Sequence, residues 1–367
     1  MQLNKDAVVP VEKGKKNFDF VDTIRCISMI GIVFEHSEQI GVPHYSELSS
    51  QLFQASFMQF FKFATIAFFL IAGFLINYKF TEYTPWQYMK NRFKSTIGPW
   101  AFWLNVMVLL TVAHLFFMVY MKHETSEMPA DFLAYVGDLY YDVTFFSSFW
   151  FILNFLVCIA ILLIFKKFIY NKYYGLVLGL LSLFYSVNLY YGWIITSHST
   201  AMFGFVFYLW LGAYMNKYYD EVMGFIKRNS IWLFIGITAI CFVAADIETI
   251  YLKNLENKDA YNTLRVTNIL YSLSFFALLL KIGPIASINT YFQPRKTTFG
   301  IYLLHQIILT HVISEIVRPF EVNMDTITLL GAAGYTIVRF LMAYLFSMIL
   351  VRLFMRTRFK WSVGNAA

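Results

Sequence analysis

About ten apolar runs, separated by polar loops, constrain the fold of this chain more than any other feature. The runs lie at 20–40, 57–78, 97–121, 148–165, 173–191, 201–215, 231–245, 267–282, 298–316 and 326–350. A helix of roughly 20 residues spans the hydrocarbon core, where every backbone polar group must be satisfied internally. Hydrophobic residues make up 59% of the chain and charged residues only 14%. We therefore predict an all-α fold, a polytopic transmembrane helical bundle.

Basic residues alternate between the two sets of loops. One set carries 21 of the 29 Lys and Arg residues, while the opposite set carries only Lys62, Lys122, Lys253, Lys258, Arg265 and Arg318. Cytoplasmic loops are rich in Lys and Arg, so both termini are predicted to be cytoplasmic. The predicted organisation is a cytoplasmic N-terminal tail at 1–17, a membrane domain at 18–354 and a cytoplasmic C-terminal tail at 355–367, with no fused external domain.

The net charge of +7 reflects this loop asymmetry, so we predict no nucleic-acid partner. The three cysteines, Cys26, Cys158 and Cys241, lie inside apolar runs and have no pairing or metal-ligand spacing. We interpret them as packing residues and predict no metal site.

Two arginines, Arg25 and Arg339, lie within apolar runs. Ionisable groups in a membrane are costly and usually face the bundle interior, which makes them functional candidates. Their alternative interpretations are structural: Arg25 can extend its charged end to the nearby membrane surface, and Arg339 can form a buried ion pair.

His36 follows Arg25 by eleven positions on the first helix. That separation is about three turns, so both side chains leave the same helix face about 16 Å apart along the axis. Glu35 lies beside His36 on an adjacent face. Histidine can take and return a proton near neutral pH, as an alcohol attacking a thioester requires, and arginine can hold phosphate or carbonyl oxygens. The alternative for His36 is a satisfied polar residue in a helix.

Four motifs make the chain resemble the acyltransferase 3 family of integral membrane O-acyltransferases. Arg25 and His36 match its arginine–histidine pair on the first helix. Segment 67–76 (AFFLIAGFLI) is similar to its second-helix motif, with Ala72 where serine is usual. Segments 149–153 (FWFIL) and 299–305 (FGIYLLH) resemble later motifs. In one departure, Arg92 fills the first position of a cytoplasmic arginine pair, while Ser95 stands at the second.

The resemblance implies transfer of an acyl group, usually acetyl, from cytoplasmic acyl-CoA to a hydroxyl of an extracytoplasmic glycan or lipid-linked glycan. Acyl-CoA is then a co-substrate, and no permanently bound cofactor is expected. The implied site residues are His36 and Glu35 for catalysis, Arg25, Arg92, Lys94 and Arg339 for acyl-CoA, and Trp150, Tyr302 and His305 as supporting residues. The implied location is the bacterial cytoplasmic (inner) membrane.

Several alternatives stay open at the level of sequence. Direct transfer and an acyl-enzyme on His36 both fit, and the acceptor can approach itself or through a partner envelope protein. A transporter or flippase would use intramembrane arginine and histidine as substrate or proton-relay groups. A catalytically inactive scaffold would need neither role. The arginine–histidine spacing together with the 299–305 motif favours the acyltransferase.

Overall fold

The computed structural model describes residues 18–41, 43, 45–121, 123, 128–196, 201–255, 259–324 and 326–364, without the side chains of 78–82. This described part is helical and contains no β-strand, which confirms the predicted all-α class. The predicted tail at 1–17, with Lys5, Lys13, Lys15 and Lys16, lies outside the described residues, as do 365–367 and the side chain of Lys79.

The helices of the described part are α1 Asp19–Ser37, α2 Leu48–Gln59, α3 Ala64–Glu82, α4 Pro85–Met121, α5 Phe132–Phe145, α6 Trp150–Ile164, α7 Lys172–Tyr191, α8 Val206–Lys217, α9 Tyr219–Arg228, α10 Ile231–Asn254, α11 Val266–Ile282, α12 Ala286–Phe292, α13 Pro294–Ile307, α14 Ser314–Val317 and α15 Leu329–Phe354. A π-helical segment, Ile308–Ile313, joins α13 to α14.

Six stretches of the described chain are long and apolar enough to cross a membrane singly: Leu48–Asn77, Pro85–Met121, Lys172–Tyr191, Ile231–Asn254, Pro294–Phe320 and Leu329–Phe354. The count rises to eight if the bent pairs α5–α6 and α11–α12 each form one span. Two further predicted runs correspond to α1, which carries several charged residues, and to α8, which has only 12 residues. Ten spans and cytoplasmic termini therefore stay predictions.

Local sequence explains the sharper of the two bends. The axis turns by 99° between α11 and α12. Gly283 adopts a φ of 77° at this point, and Pro284 follows it. Glycine tolerates positive φ, and proline cannot continue the hydrogen bonding of a preceding helix. The chain therefore leaves α11 at Gly283 and runs into α12 in a new direction.

Helix α1 lies inside the bundle, where it packs against α3, α13 and α15. Beside it, α3 and α8 cross closely because each has a glycine at the contact. A methyl group on Gly73 would overlap the carbonyl oxygen of Leu209, and one on Gly212 would overlap that of Leu70. Small residues that let helix backbones approach are typical of packing in membranes. This close contact fixes α3, one of the neighbours of α1.

The fully buried Arg265 joins three helices at the end of the bundle where α1 finishes. Its guanidinium donates to the carbonyl oxygen of Ala245 at 2.8 Å and to Oε1 of Gln59 at 2.6 Å, and also to Thr249. The sequence places Arg265 among the loop charges that set orientation. The structure corrects this interpretation, because the side chain turns inward and links α2, α10 and the start of α11.

Replacing Arg265 with glutamine is expected to lower the free energy of unfolding by about 3 kcal/mol, because buried acceptors on α2 and α10 lose their donors. Thermal melting of the purified protein in detergent measures the loss. Arg318→Gln is the matched control, since Arg318 is largely exposed and pairs with Glu315 at the surface. Equal melting temperatures for the two variants would contradict the assigned role of Arg265.

The C-terminal region packs into the bundle at residues Arg358–Val363. Trp103 on α4 donates from its indole nitrogen to the carbonyl oxygen of Ser362 at 2.9 Å, and Val363 is buried. Gly364 follows with a φ of 81°. Part of the segment predicted as a tail therefore contributes to the wall of the bundle.

Candidate active site

Arg25 and His36 lie on opposite halves of α1, and each opens into its own cavity. The first, the Arg25 cavity, has a volume of about 300 Å³ and is lined by residues of α1, α3, α4, α6 and α13, with Gly364. The second, the His36 cavity, has a volume of about 330 Å³ and lies at the other end of α1. One helix therefore carries the two predicted hallmark residues into two separate chambers.

Three arginines line the Arg25 cavity: Arg25, Arg92 and Arg295. Asp22 fixes two of them, since its carboxylate accepts from Arg25 Nη1 at 2.9 Å and from Arg295 Nε at 2.6 Å. Arg92 donates from Nε to the hydroxyl of Tyr88 at 2.9 Å. Held guanidinium groups of this kind suit the bidentate recognition of phosphate.

Apolar side chains form the deeper wall of the Arg25 cavity. Met29 and Ile32 continue the Arg25 face of α1 toward His36, and Phe68 and Phe151 lie opposite. Ala72 and Ser95, the two positions that depart from the family pattern, both line this cavity. The chamber is therefore cationic at one end and apolar toward the middle of the bundle.

The His36 cavity combines polar and aromatic residues. Glu35, His36, Lys62 and Gln306 contribute polar groups, and the other lining residues include Thr65, Phe145, Phe146, Ser147, Ser148, Trp150 and Thr263. Glu35 accepts from Lys62 Nζ at 3.1 Å through Oε2. Its Oε1 is buried and has no hydrogen-bond partner among the described residues, and the same holds for Oε1 of Gln306. The cavity therefore offers unused acceptors beside the imidazole of His36.

Tyr302 and His305 lie between the two chambers. Tyr302 lines the Arg25 cavity, and its hydroxyl donates to the carbonyl oxygen of Ser148, which lines the His36 cavity. The fully buried ring of His305 lies 5.1 Å from that of His36 and 5.8 Å from that of Tyr302, measured between ring centroids. A wall only a few side chains thick therefore separates the cavities.

Backbone contacts determine the tautomer of His305. Its Nδ1 lies 2.6 Å from the carbonyl oxygen of Tyr302 and 3.2 Å from that of Ile301. Because a carbonyl oxygen only accepts, Nδ1 must carry the proton. The Nε2 atom is then an acceptor, and it is buried without a hydrogen-bond partner in the described part of the chain.

The structure brings together most of the predicted site residues. Arg25, Arg92 and Tyr302 line one cavity, Glu35, His36 and Trp150 line the other, and His305 contacts both His36 and Tyr302. Lys94 and Arg339 do not line the Arg25 cavity. The guanidinium carbon of Arg339 lies over the ring of Tyr335, 5.6 Å from its centroid. Glu35, the implied catalytic residue beside His36, forms an ion pair with Lys62 in the structure.

Three important residues were missed or undervalued in the sequence. Asp22 stands one helical turn before Arg25, and this spacing is a usable signal for an ion pair. Lys62 is a lone basic residue inside an apolar stretch, which is a second signal. Arg295 is far from α1 in the chain, and only the folding of α13 onto α1 brings it to Asp22.

Asp22→Asn is expected to lower the melting temperature of the ligand-free protein, because Arg25 and Arg295 lose the charge that compensates them. The expected cost is about 1–3 kcal/mol. A polyanionic ligand would compensate the two guanidinium groups, so acetyl-CoA should raise the melting temperature more in this variant than in the wild type. Asp220→Asn, at an exposed position of α9 that does not line the Arg25 cavity, is the control and should leave both values nearly unchanged.

Comparison with known proteins identifies the family of this chain. The family model described as an acyltransferase domain matches residues 18–363. Curated proteins of Staphylococcus aureus strains MSSA476 and N315, each named "Probable poly-beta-1,6-N-acetyl-D-glucosamine export protein", are 34% identical over 122 residues. Each match covers 31% of this chain and 31% of the relative, and no solved structure matches. Because the family model covers nearly the whole chain, the protein belongs to the acyltransferase 3 family.

Proposed function

We propose that the protein transfers an acetyl group from cytoplasmic acetyl-CoA to a hydroxyl of an extracytoplasmic glycan or lipid-linked glycan. The observation that supports this most directly is the pair of cavities on α1, one lined by arginines and one by His36. A donor that carries several phosphates and an acceptor that carries a hydroxyl would then approach the same reaction centre from opposite sides.

The Arg25 cavity would bind the donor. Arg25, Arg92 and Arg295 would contact its phosphate oxygens, and Asp22 keeps two of these guanidinium groups in place. The apolar wall around Met29 and Phe68 suits the thioester end of the pantetheine arm. The sulfur would reach toward His36 past Tyr302. The hydrogen bond from the Tyr302 hydroxyl to the carbonyl oxygen of Ser148 must therefore break or shift during the reaction.

His36 would act as the general base. It takes the proton from the acceptor hydroxyl as the oxygen attacks the thioester carbonyl, and the coenzyme A thiolate leaves and is then protonated. If His36 instead attacks first, the C–S bond breaks, the coenzyme A thiolate leaves and an acyl-imidazole forms. In the second step the acceptor oxygen attacks this acyl group, the bond to the imidazole breaks, and the hydroxyl proton passes to the released imidazole. His305, fixed by its Nδ1 contacts, would help to position the imidazole of His36.

The composition of the His36 cavity favours a sugar as the acceptor. Phe145, Phe146 and Trp150 provide apolar ring faces, and Glu35 and Gln306 each provide an Oε1 acceptor without a hydrogen-bond partner among the described residues. A sugar ring presents apolar C–H faces and several hydroxyl donors, which complements both kinds of group. Buried acceptors are costly unless they are satisfied, so a ligand rich in donors is favoured here.

Export of a glycan without acyl transfer is the second candidate function, and the name of the curated relatives supports it. A transporter would need a path for the glycan through the bundle. The two cavities are small, and Tyr302 and His305 close the region between them. We therefore favour acyl transfer.

Reconstitution into vesicles separates the two functions. Acetyl-CoA with a labelled acetyl group is supplied on one side and an oligosaccharide acceptor on the other. Acyl transfer predicts release of coenzyme A and an alkali-labile ester on the oligosaccharide in equal amounts. Movement of unmodified oligosaccharide with no release of coenzyme A would instead establish export and refute the proposed transferase.

A further inference from the structure

A third cavity lies outside the site described above, between the end of α12 and the end of α15. This cavity, the Arg352 groove, has a volume of about 650 Å³ and shares no lining residue with the Arg25 cavity. Arg352 and Arg356 line it together with Tyr291, Phe292, Met348 and Met355, and none of its lining residues is acidic. It is thus an open chamber with two positive charges and an apolar wall.

The two arginines differ in how their side chains are held by the protein. Arg352 donates from Nη2 to the carbonyl oxygen of Tyr291, which links α15 to α12 and orients the rest of its guanidinium. Arg356 lies in the turn just after the end of α15 and is exposed. Because no carboxylate lines the groove, an anion would be bound without competition from the protein itself.

A lipid-facing surface leads directly to these arginines. Leu345, Ile349 and Leu353 follow one another at helical spacing on α15, and each is about half exposed (48%, 50% and 52%). Helix α15 is one of those long and apolar enough to cross a membrane. The exposed stripe therefore faces acyl chains, and the arginines stand at its end at the level where headgroups lie.

We propose that the Arg352 groove binds the headgroup of an anionic phospholipid, with the acyl chains along the Leu345–Ile349–Leu353 stripe. The phosphodiester accepts from Arg352 and Arg356, and the two methionines contact the start of the chains. This end of the bundle is the one that the loop charges assign to the cytoplasm, and anionic lipids of the cytoplasmic leaflet bind basic pockets between helices. The proposal does not depend on acyl transfer.

The expected consequence is a lipid clamp between α12 and α15. Gln293, which lines the groove and has a φ of 46°, precedes Pro294 and Arg295 of the Arg25 cavity. A bound headgroup would hold α12 against α15 and so support the segment that carries Arg295. Bound lipid should therefore stabilise the folded protein as well as occupy its surface.

The test compares melting temperatures in detergent micelles doped with phosphatidylglycerol or with phosphatidylcholine. Phosphatidylglycerol should raise the melting temperature of the wild type above the value in phosphatidylcholine. For Arg356→Gln, the half-saturating phosphatidylglycerol concentration should rise about tenfold, the usual effect of losing one charge-assisted hydrogen bond. Arg358→Gln, an exposed arginine two positions later that does not line the groove, should respond like the wild type.

Three further measurements decide the identity of the ligand. Arg352→Lys keeps the charge but loses the forked donor, and an intermediate phosphatidylglycerol response supports the proposal. A stabilisation by inorganic phosphate equal to that by phosphatidylglycerol would overturn it, since a small anion would then suffice. Displacement of phosphatidylglycerol by acetyl-CoA would also overturn it, because the groove would then belong to the donor site.

Discussion

His36→Ala is expected to reduce acyl transfer by at least about 100-fold while acetyl-CoA still binds. Removal of a general base commonly costs 10²–10⁴-fold in rate, and removal of a covalent nucleophile costs no less. Donor binding should persist because His36 lines its own cavity, apart from the arginines that line the other. Release of coenzyme A measures the rate, and thermal stabilisation by acetyl-CoA measures binding.

His114→Ala is the control for this variant. His114 lies on α4, is 40% exposed and lines neither of the two cavities on α1. Its removal should leave transfer within a factor of about two of the wild-type rate, since it contacts no reacting group. Full activity in His36→Ala would show that His36 is neither the general base nor the nucleophile of the reaction. Loss of both activity and acetyl-CoA binding would show that His36 supports the fold rather than the reaction.

Arg25→Gln is expected to raise the KM for acetyl-CoA about 10- to 100-fold. A hydrogen bond to a charged group is worth about 1.5–3 kcal/mol, and 1.4 kcal/mol corresponds to a tenfold change in affinity. The variant also leaves Asp22 with one guanidinium partner instead of two. In the proposed mechanism Arg25 binds the donor away from the reacting carbonyl, so the kcat should change much less than the KM.

Lys94→Gln is a control that also separates sequence from structure. The family resemblance implies that Lys94, beside Arg92, binds acyl-CoA, whereas in the structure Lys94 is exposed and does not line the Arg25 cavity. Its KM should stay within a factor of about two of the wild type. An increase as large as that of Arg25→Gln would mean that the donor extends onto the exposed face of α4. An unchanged KM in both variants would place the donor elsewhere.

The relative positions of two site residues could be predicted from the sequence only where both residues lie on the same helix. Arg25 and His36 are both on α1, so their common face and their separation follow from helical geometry alone. Tyr302 and His305 share α13 in the same way. The contact between the rings of His36 and His305 joins residues of different helices, and no local periodicity specifies how α13 is rotated against α1.

For charged residues as well, the sequence does not predict which partners on other helices they contact. Arg295 and Lys296 are adjacent basic residues of similar appearance in the sequence, yet Arg295 bonds to Asp22 and lines the Arg25 cavity. The sequence predicts that Arg265 is a loop residue whose charge helps to set the membrane orientation, but in the structure its side chain is fully buried. Arg339 was predicted to bind acyl-CoA, and the structure places its guanidinium over Tyr335. Charge and loop position predict which side of the membrane a residue favours, but not which neighbour it meets.

The sequence by itself determined that this protein is a helical membrane protein of the acyltransferase 3 family with an arginine and a histidine on one helix face. The helical class and the shared helix face follow from apolar run length, composition and spacing within single helices, which are local properties. The family follows from the resemblance of four short motifs to its pattern. Tertiary structure alone decided that the site has two cavities, that Asp22 joins Arg25 to Arg295, and that Glu35 pairs with Lys62. The physical reason is that side-chain partners on different helices depend on helix rotation and depth, which are set by packing over the whole bundle.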